Sequence, residues 1–273
     1  MKFSCQALDL SKPRVMGVLN MTPDSFSDGG RYNSLDAALF QAESMVNAGA
    51  SFIDVGGEST RPGAVKVSLA EELERVCPVV ELIKKNLDVV VSVDTSSPEV
   101  MVESVGLGVG LINDVRALQC EGAKQSVVNL GVPVCLMHMQ GVPETMQDNP
   151  QYGSVVDVVE CYLLERANHL IESGFDSEKI IIDPGFGFGK TLSHNLQLLN
   201  AIDRLVLNGY PVLVGMSRKS MIGTILDKPI GERMIGSIAA ATIAAYKGAS
   251  IIRVHDVKET VDAMSVVQAL FEE

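Results

Sequence analysis

The chain has 273 residues, 47% of them hydrophobic and 21% charged, with a formal net charge of −12. That balance supplies a large buried core and excludes a disordered chain. Its sign is the opposite of what a sequence-independent nucleic-acid binder needs, and no run of about 18 uncharged apolar residues suggests a membrane span.

The first residues, MKFSCQALDLSKPRV, hold no apolar run and no small-residue cleavage site, so no signal peptide is expected. Cys5, Cys77, Cys120, Cys135 and Cys161 are odd in number and have no metal-ligand spacing. They read as small buried hydrophobes in a reducing cytoplasm. No linker or composition break divides the chain, so residues 1–273 are expected to form one domain.

In chain order, residues 1–13 alternate weakly through Phe3, Cys5 and Ala7 and predict a short hairpin. Apolar runs follow at 15–19, 52–55, 89–93, 111–112, 132–137, 180–182, 212–215 and 251–254. Between them lie stretches with helical spacing. One covers 35–47 and stops before Gly49, a glycine cap. Ser97-Pro98 reads as a helix N-cap with proline at the first helical position. Another helix is predicted over 193–207, starting at Ser193 and ending before Gly209. Strands apolar on both faces, alternating with helices, make a parallel sheet. Eight such units predict an α/β fold, a closed (β/α)₈ (TIM) barrel, with the N-terminal hairpin covering the barrel floor; about 250 residues suit that fold.

Each run ends in polar residues. These are Asn20, Glu58-Ser59-Thr60-Arg61, Asp94-Thr95, Asn113-Asp114, His138, Asp183, Ser217-Arg218-Lys219 and Arg253-Val254-His255-Asp256. Barrel active sites lie at the C-terminal strand ends. A single cluster of this kind is explained by helix capping; eight in register are not. Asp94 and Asp183 directly follow apolar strands, so they are expected to sit low in the mouth and to need donors. A guanidine-like ring edge, with adjacent N–H groups, would satisfy them. Lys219, Arg61, Arg253 and His255 share the rim and suit phosphate or carboxylate. An acidic chain needs such a local positive cluster if its ligands are anions.

The segment 185–191, GFGFGKT, resembles a phosphate-binding loop, but the glycine required five positions before Gly189 is Pro184. Its glycines are expected to let backbone approach a flat ligand, with Phe188 as a lining face. His138 is expected to be a hydrogen-bonded core or rim histidine, and His169 and His194 to have surface or capping roles. Neither zinc-ligand spacing nor a nucleophile elbow is present.

The run Asn20-Met21-Thr22-Pro23-Asp24-Ser25-Phe26-Ser27-Asp28-Gly29-Gly30 resembles the first signature loop of the dihydropteroate synthases. Residues 54–63, DVGGESTRPG, resemble the second. Further blocks are similar at 92–95, 112–114, 183–190, 215–220 and 253–256, and the likeness runs from about residue 14 to residue 270. The resemblance implies a transferase of folate biosynthesis. It would join 6-hydroxymethyl-7,8-dihydropterin diphosphate to 4-aminobenzoate, with Mg²⁺ as cofactor. It implies pterin binding by Asp94, Asn113, Met137, Asp183, Phe188, Gly215 and Lys219. It assigns the diphosphate to Asn20, Thr60, Arg61, Arg253 and His255, with the metal at Asn20. Phe26, Thr60, Arg61, Pro62, Phe188, Lys219 and Ser220 would form the aminobenzoate side. Asp28, Lys219, Arg253 and His255 would serve the chemistry. Sulfonamide inhibition and a homodimer, formed through late helices such as 231–246, are also implied. A methyltetrahydrofolate-type methyltransferase or a non-catalytic pterin-binding paralogue would share the 94/113/183 pocket. The first has no need of the 23–28 loop, and the intact Asn20, Arg61, Lys219, Arg253 and His255 argue against the second.

Overall fold

The computed structural model describes residues 1–4, 6–21, 30–58, 67–141 and 145–271; Cys5, Phe26, Asp28, Thr60, Arg61 and Pro62 lie outside them. The predicted strand runs form the ring, as β3 (Arg14–Asn20), β4 (Phe52–Gly56), β5 (Val90–Asp94), β6 (Leu111–Asp114), β7 (Val134–Met137), β8 (Ile180–Asp183), β9 (Leu213–Val214) and β10 (Ile251–Val254). Their order is β8-β7-β6-β5-β4-β3-β10-β9, and each neighbouring pair is parallel. A parallel bridge from Ile182 to Val212 joins the two ends and closes the barrel.

The helices that follow the strands are α1 (Gly30–Asn47), α2 (Leu69–Asn86), α3 (Pro98–Gly106), α4 (Ala123–Leu130), α5 (Val155–Ile171), α6 (Leu192–Asn200), α7 (Ile202–Val206), α8 (Ser220–Leu226), α9 (Met234–Tyr246) and α10 (Val257–Phe271). Ser68 caps α2 by accepting from the Glu71 amide at 3.3 Å. Glu71 and Glu72 in its first turn and Lys84 and Lys85 in its last complement the helix dipole. Ser97 does precede Pro98 at the start of α3, but its hydroxyl donates to Glu72 at 2.9 Å instead of capping. The helix predicted over 193–207 is two helices that break at Ala201. Its cap is Thr191, not Ser193. The Thr191 hydroxyl accepts from the His194 amide, and His194 Nδ1 accepts from the Thr191 amide, both at 3.2 Å.

Side chains alternate in and out along a strand. The lowest inward layer is Met16, Phe52, Val90, Leu111, Cys135, Ile181, Leu213 and Ile251, one residue from each barrel strand, and Phe3 packs with them. Phe3 comes from the hairpin of β1 (Lys2–Phe3) and β2 (Gln6–Ala7), an antiparallel pair. It is 1% exposed and meets the Phe52 ring edge-on at a centroid distance of 5.0 Å. The hairpin thus plugs the floor, as its alternation suggested. Two residues further up the strands come Val18, Asp54, Ser92, Asn113, Met137, Asp183 and Arg253. The barrel interior is therefore apolar at its base and polar one layer above it. The outward faces of the strands pack on the helices as one large apolar cluster.

One expectation fails outside the site. Among the described cysteines, Cys135 is buried, Cys77 and Cys120 are half-buried and Cys161 is exposed. Cys161 lies on the solvent side of α5, where helical spacing leaves it facing water.

Candidate active site

Asn20, Asp94 and Asp183 close their strands, and Asn113 lies inside β6. Polar residues read as the start of loops therefore have the fixed direction of a pleated strand. Asp54 is at the centre. Fully buried, it accepts from Ser92 Oγ at 2.6 Å, from Asn113 Nδ2 at 3.2 Å and from Arg253 Nε at 2.6 Å. The other branch of the Arg253 guanidinium, Nη2, donates to Asp94 at 3.0 Å. Two carboxylates share one guanidinium, so this buried group carries one negative charge in excess.

Burial is the largest influence on the charges here. Burial pushes the Asp94 carboxyl up to about 7, against the pull of Arg253 and with a further push from Asp54. Burial also raises Asp183, against Lys219 and the Gly185 amide, which donates to its Oδ1 at 2.7 Å. Lys219 is brought down to about 8, first by burial, with Asp183 opposing. Its ammonium lies 4.6 Å from the centre of the Phe188 ring and donates to the Phe186 carbonyl. Arg253 is held above its ordinary value by Asp54 and Asp94, despite burial.

Glycines open the space. A side chain at Gly215 would meet the Arg253 stem at 3.8 Å and Lys219 Nζ at 4.0 Å. One at Gly56 would meet Asn20 Oδ1 at 3.5 Å. Met137, buried and in register with Asp183, lies under Gly185, 3.3 Å from where a Cβ would stand. Gly185 has φ 67°, and a Cβ there would stand 1.9 Å from the His138 carbonyl oxygen, so glycine is required. His255 Nδ1 lies 3.0 Å from Ser217 Oγ, which also accepts from the His255 amide at 3.2 Å. Ser220 is exposed at the start of α8. Arg218, from the same polar cluster as Lys219, turns away and pairs with Asp256.

The phosphate-loop likeness is set aside by geometry. Lys190 is 3% exposed. Its ammonium donates to His138 Nδ1, the Gly185 carbonyl and the Phe188 carbonyl, each at 2.9 Å. His138 is therefore a neutral acceptor, its pKa taken down to about 3 by burial and then by Lys190. Asn195 and Tyr152 hold the same loop, through the Gly187 amide at 2.8 Å and the Gly189 carbonyl at 2.7 Å. The structure thus brings together Asn20, Asp94, Asn113, Met137, Asp183, Phe188, Gly215, Lys219, Arg253 and His255 around one mouth. Sequence reasoning missed Asp54 and Lys190. Asp54 had a signal, a carboxylate inside an otherwise apolar strand; Lys190 was legible only as part of a failed phosphate loop.

The family model described as pterin binding enzyme matches residues 16–255. A dihydropteroate synthase from Escherichia coli (strain K12) is 57% identical over 263 residues, which is 96% of this chain and 93% of that protein. The chain belongs to the dihydropteroate synthase family. A solved member of this family from Yersinia pestis, in complex with a sulfonamide drug, superimposes with a TM-score of 0.96 at 52% identity, covering 100% of this chain and 99% of that one. A Xanthomonas albilineans dihydropteroate synthase with 4-aminobenzoic acid gives a TM-score of 0.92 at 47% identity, covering 97% of this chain and 96% of that one. Family membership and the barrel's polar layer agree.

Proposed function

We propose that the chain, acting as one pterin-binding domain over residues 1–273, condenses 6-hydroxymethyl-7,8-dihydropterin diphosphate with 4-aminobenzoate, giving 7,8-dihydropteroate and diphosphate. The observation that carries this is the set of buried Asn113 and Asp183 with half-buried Asp94 and Lys219 beside Arg253, within a chain 57% identical to a dihydropteroate synthase. Asp94 and Asp183 accept from the N–H groups of the ring edge, and Asn113 and Lys219 complete the polar seat. Met137 and Phe188 line the ring's faces, and Gly215 leaves room for it. Arg253 and His255, with Asn20, Thr60 and Arg61, hold the diphosphate. Phe26, Pro62, Thr60, Arg61, Phe188, Lys219 and Ser220 form the aminobenzoate side, the side that a sulfonamide would share.

The bond that breaks joins the exocyclic carbon to the diphosphate oxygen. The bond that forms joins that carbon to the arylamine nitrogen, which then loses a proton. An electron-rich ring delocalises positive charge at the carbon, which favours early departure of the diphosphate (an SN1-like course). Arg253 and His255 neutralise the leaving group, and Lys219 stands beside the ring. The carboxylate in excess over the guanidinium, together with Asp28, stabilises the cation. The arylamine is neutral at pH 7, so the residues need only aim it.

Asn20 offers one hard amide oxygen near Gly56, 3.5 Å from where a Cβ would stand. That suits Mg²⁺, which keeps several waters and takes its other ligands from substrate phosphates. When bound, the ion would supply charge neutralisation at the diphosphate.

Exposed apolar side chains gather on the late helices. Ile235 is 76%, Tyr246 62% and Phe271 61% exposed, and the last two rings stack at 6.0 Å. A patch of this kind suits a second copy of the chain, and a homodimer is proposed. Five cysteines, odd in number and scattered along the chain, favour a cytoplasmic setting; among the described residues no helix is long and apolar enough to cross a membrane.

The test is a coupled assay for diphosphate release. Release that requires both the pterin diphosphate and 4-aminobenzoate supports the proposal. Release without the arylamine, or none with both present, removes it.

A further inference from the structure

Arg253 makes its two ion pairs through different nitrogens. Nε goes to Asp54 at 2.6 Å and Nη2 to Asp94 at 3.0 Å, so either can open while the other stays closed. The two carboxylates are not equivalent. Asp54 has 0% side-chain exposure; Ser92 Oγ donates to its Oδ1 at 2.6 Å, and Asn113 Nδ2 donates at 3.2 Å to Oδ2, the oxygen that also takes Arg253 Nε. Asp94 has 11% side-chain exposure and stands at the open end of β5. A carboxylate committed to Arg253 is a poorer acceptor for a ligand, and a guanidinium committed to two carboxylates is a poorer clamp for an anion. Both groups are needed by the same substrate, one for its ring and the other for its diphosphate.

We infer that Asp54 is a positioning residue: a fixed pivot on which Arg253 turns from Asp94 to the diphosphate as the pterin ring takes Asp94. The Nε bond to Asp54 keeps the guanidinium in the mouth during the exchange, while the Nη edge is free to change partner. Gly215 lies opposite the Arg253 stem, where even a Cβ would stand at an ordinary contact distance of 3.8 Å from both Cβ and Cδ of Arg253. Asp54 touches neither substrate. It acts by aiming Arg253 and, through the same oxygen, Asn113. Without its charge the guanidinium falls wholly onto Asp94, and the incoming pterin has to break a stronger pair.

The inference rests on the condensation activity proposed above, so the wild-type chain is assayed in parallel; a wild type that releases no diphosphate refutes the activity itself. With an active wild type, Asp54→Asn is expected to raise KM for the pterin diphosphate about tenfold or more and leave KM for 4-aminobenzoate within about twofold. General loosening of the barrel would move both. In a double-mutant cycle with Arg253→Met, Asp54→Asn is expected to cost little once Arg253 is gone. Should Asp54→Asn not fold, Ser92→Ala, which removes one anchor of Asp54, is expected to raise the same KM two- to fivefold. An unchanged KM for the pterin diphosphate in the folded variant, parallel changes in both KM values, or independent effects in the cycle would overturn the pivot.

Discussion

At the scale of single residues, Asp94 and Lys219 decide the pH behaviour. Asp94 is pushed up to about 7 and Lys219 down to about 8. Ring binding by acceptor and donor needs the carboxylate and the ammonium together. The expected profile of kcat/KM for the pterin diphosphate is therefore a narrow bell, falling below about 7 as Asp94 is protonated and above about 8 as Lys219 loses its proton. The sign for stability is opposite on the acid side. A carboxylate raised in the fold contributes stability below its unfolded value and loses it as pH rises through about 7. Unliganded protein should thus gain stability from Asp94 over the range in which it loses ligand. A flat profile between pH 6 and 9 would refute both assignments. Replacing Asp94 by Asn turns an acceptor toward the ring into a donor, at a cost of roughly 1–3 kcal/mol. Calorimetry with a diphosphate-free pterin is expected to show weakened binding in Asp94→Asn with the fold intact. Most of these residues were legible in the sequence, because a carboxylate or amide that ends an apolar strand in phase with its inward side chains points into the barrel mouth. Asp54 was less legible: a single charge inside a strand says that a partner exists, but not that the partner lies 199 residues away in Arg253.

At the scale of elements, strand positions were readable and their ends were not. An apolar run gives the core of a strand, while its end depends on pairing with neighbours. β9 shrinks to Leu213–Val214 because only two residues pair with β10, and β6 gains Asn113 and Asp114 because β7 pairs with them. The helix over 193–207 was read as one because its apolar spacing continues through Ala201, whose φ of −106° and ψ of 15° interrupt it. The loop after β8 owes its shape to Lys190, whose ammonium joins it to His138. Lys190→Met would leave the Phe188 carbonyl and His138 Nδ1 without this donor, while the Gly185 carbonyl keeps the Phe188 amide at 3.1 Å; a buried acceptor left unpaired costs roughly 1–3 kcal/mol. The expected outcome is a clear drop in the unfolding midpoint, with faster amide exchange over 185–189. KM for 4-aminobenzoate should also rise, because Phe188 loses its support. An unchanged midpoint would mean that Asn195 and Tyr152 hold the loop unaided.

At the scale of the whole molecule, the excess of acid and the positive mouth are reconciled by placement. Lys219 and Arg253 are concentrated inside the barrel rim, so an anionic substrate finds cations there although the net charge is −12. The closed ring, with Phe3 filling its floor, makes that mouth rigid. Exposed apolar side chains of α9 and α10 form the surface proposed for the dimer. Ile235→Lys is expected to shift the protein from dimer to monomer in light scattering while the mouth residues stay in place; a monomeric wild type would remove the proposed interface. The most direct test of the account is a crystal structure with the pterin diphosphate bound. The prediction is a ring between Asp94, Asn113 and Asp183, with Arg253 still on Asp54 and its Nη edge on the diphosphate. A ring seated elsewhere, with Asp94 and Arg253 still paired beneath it, would contradict the account.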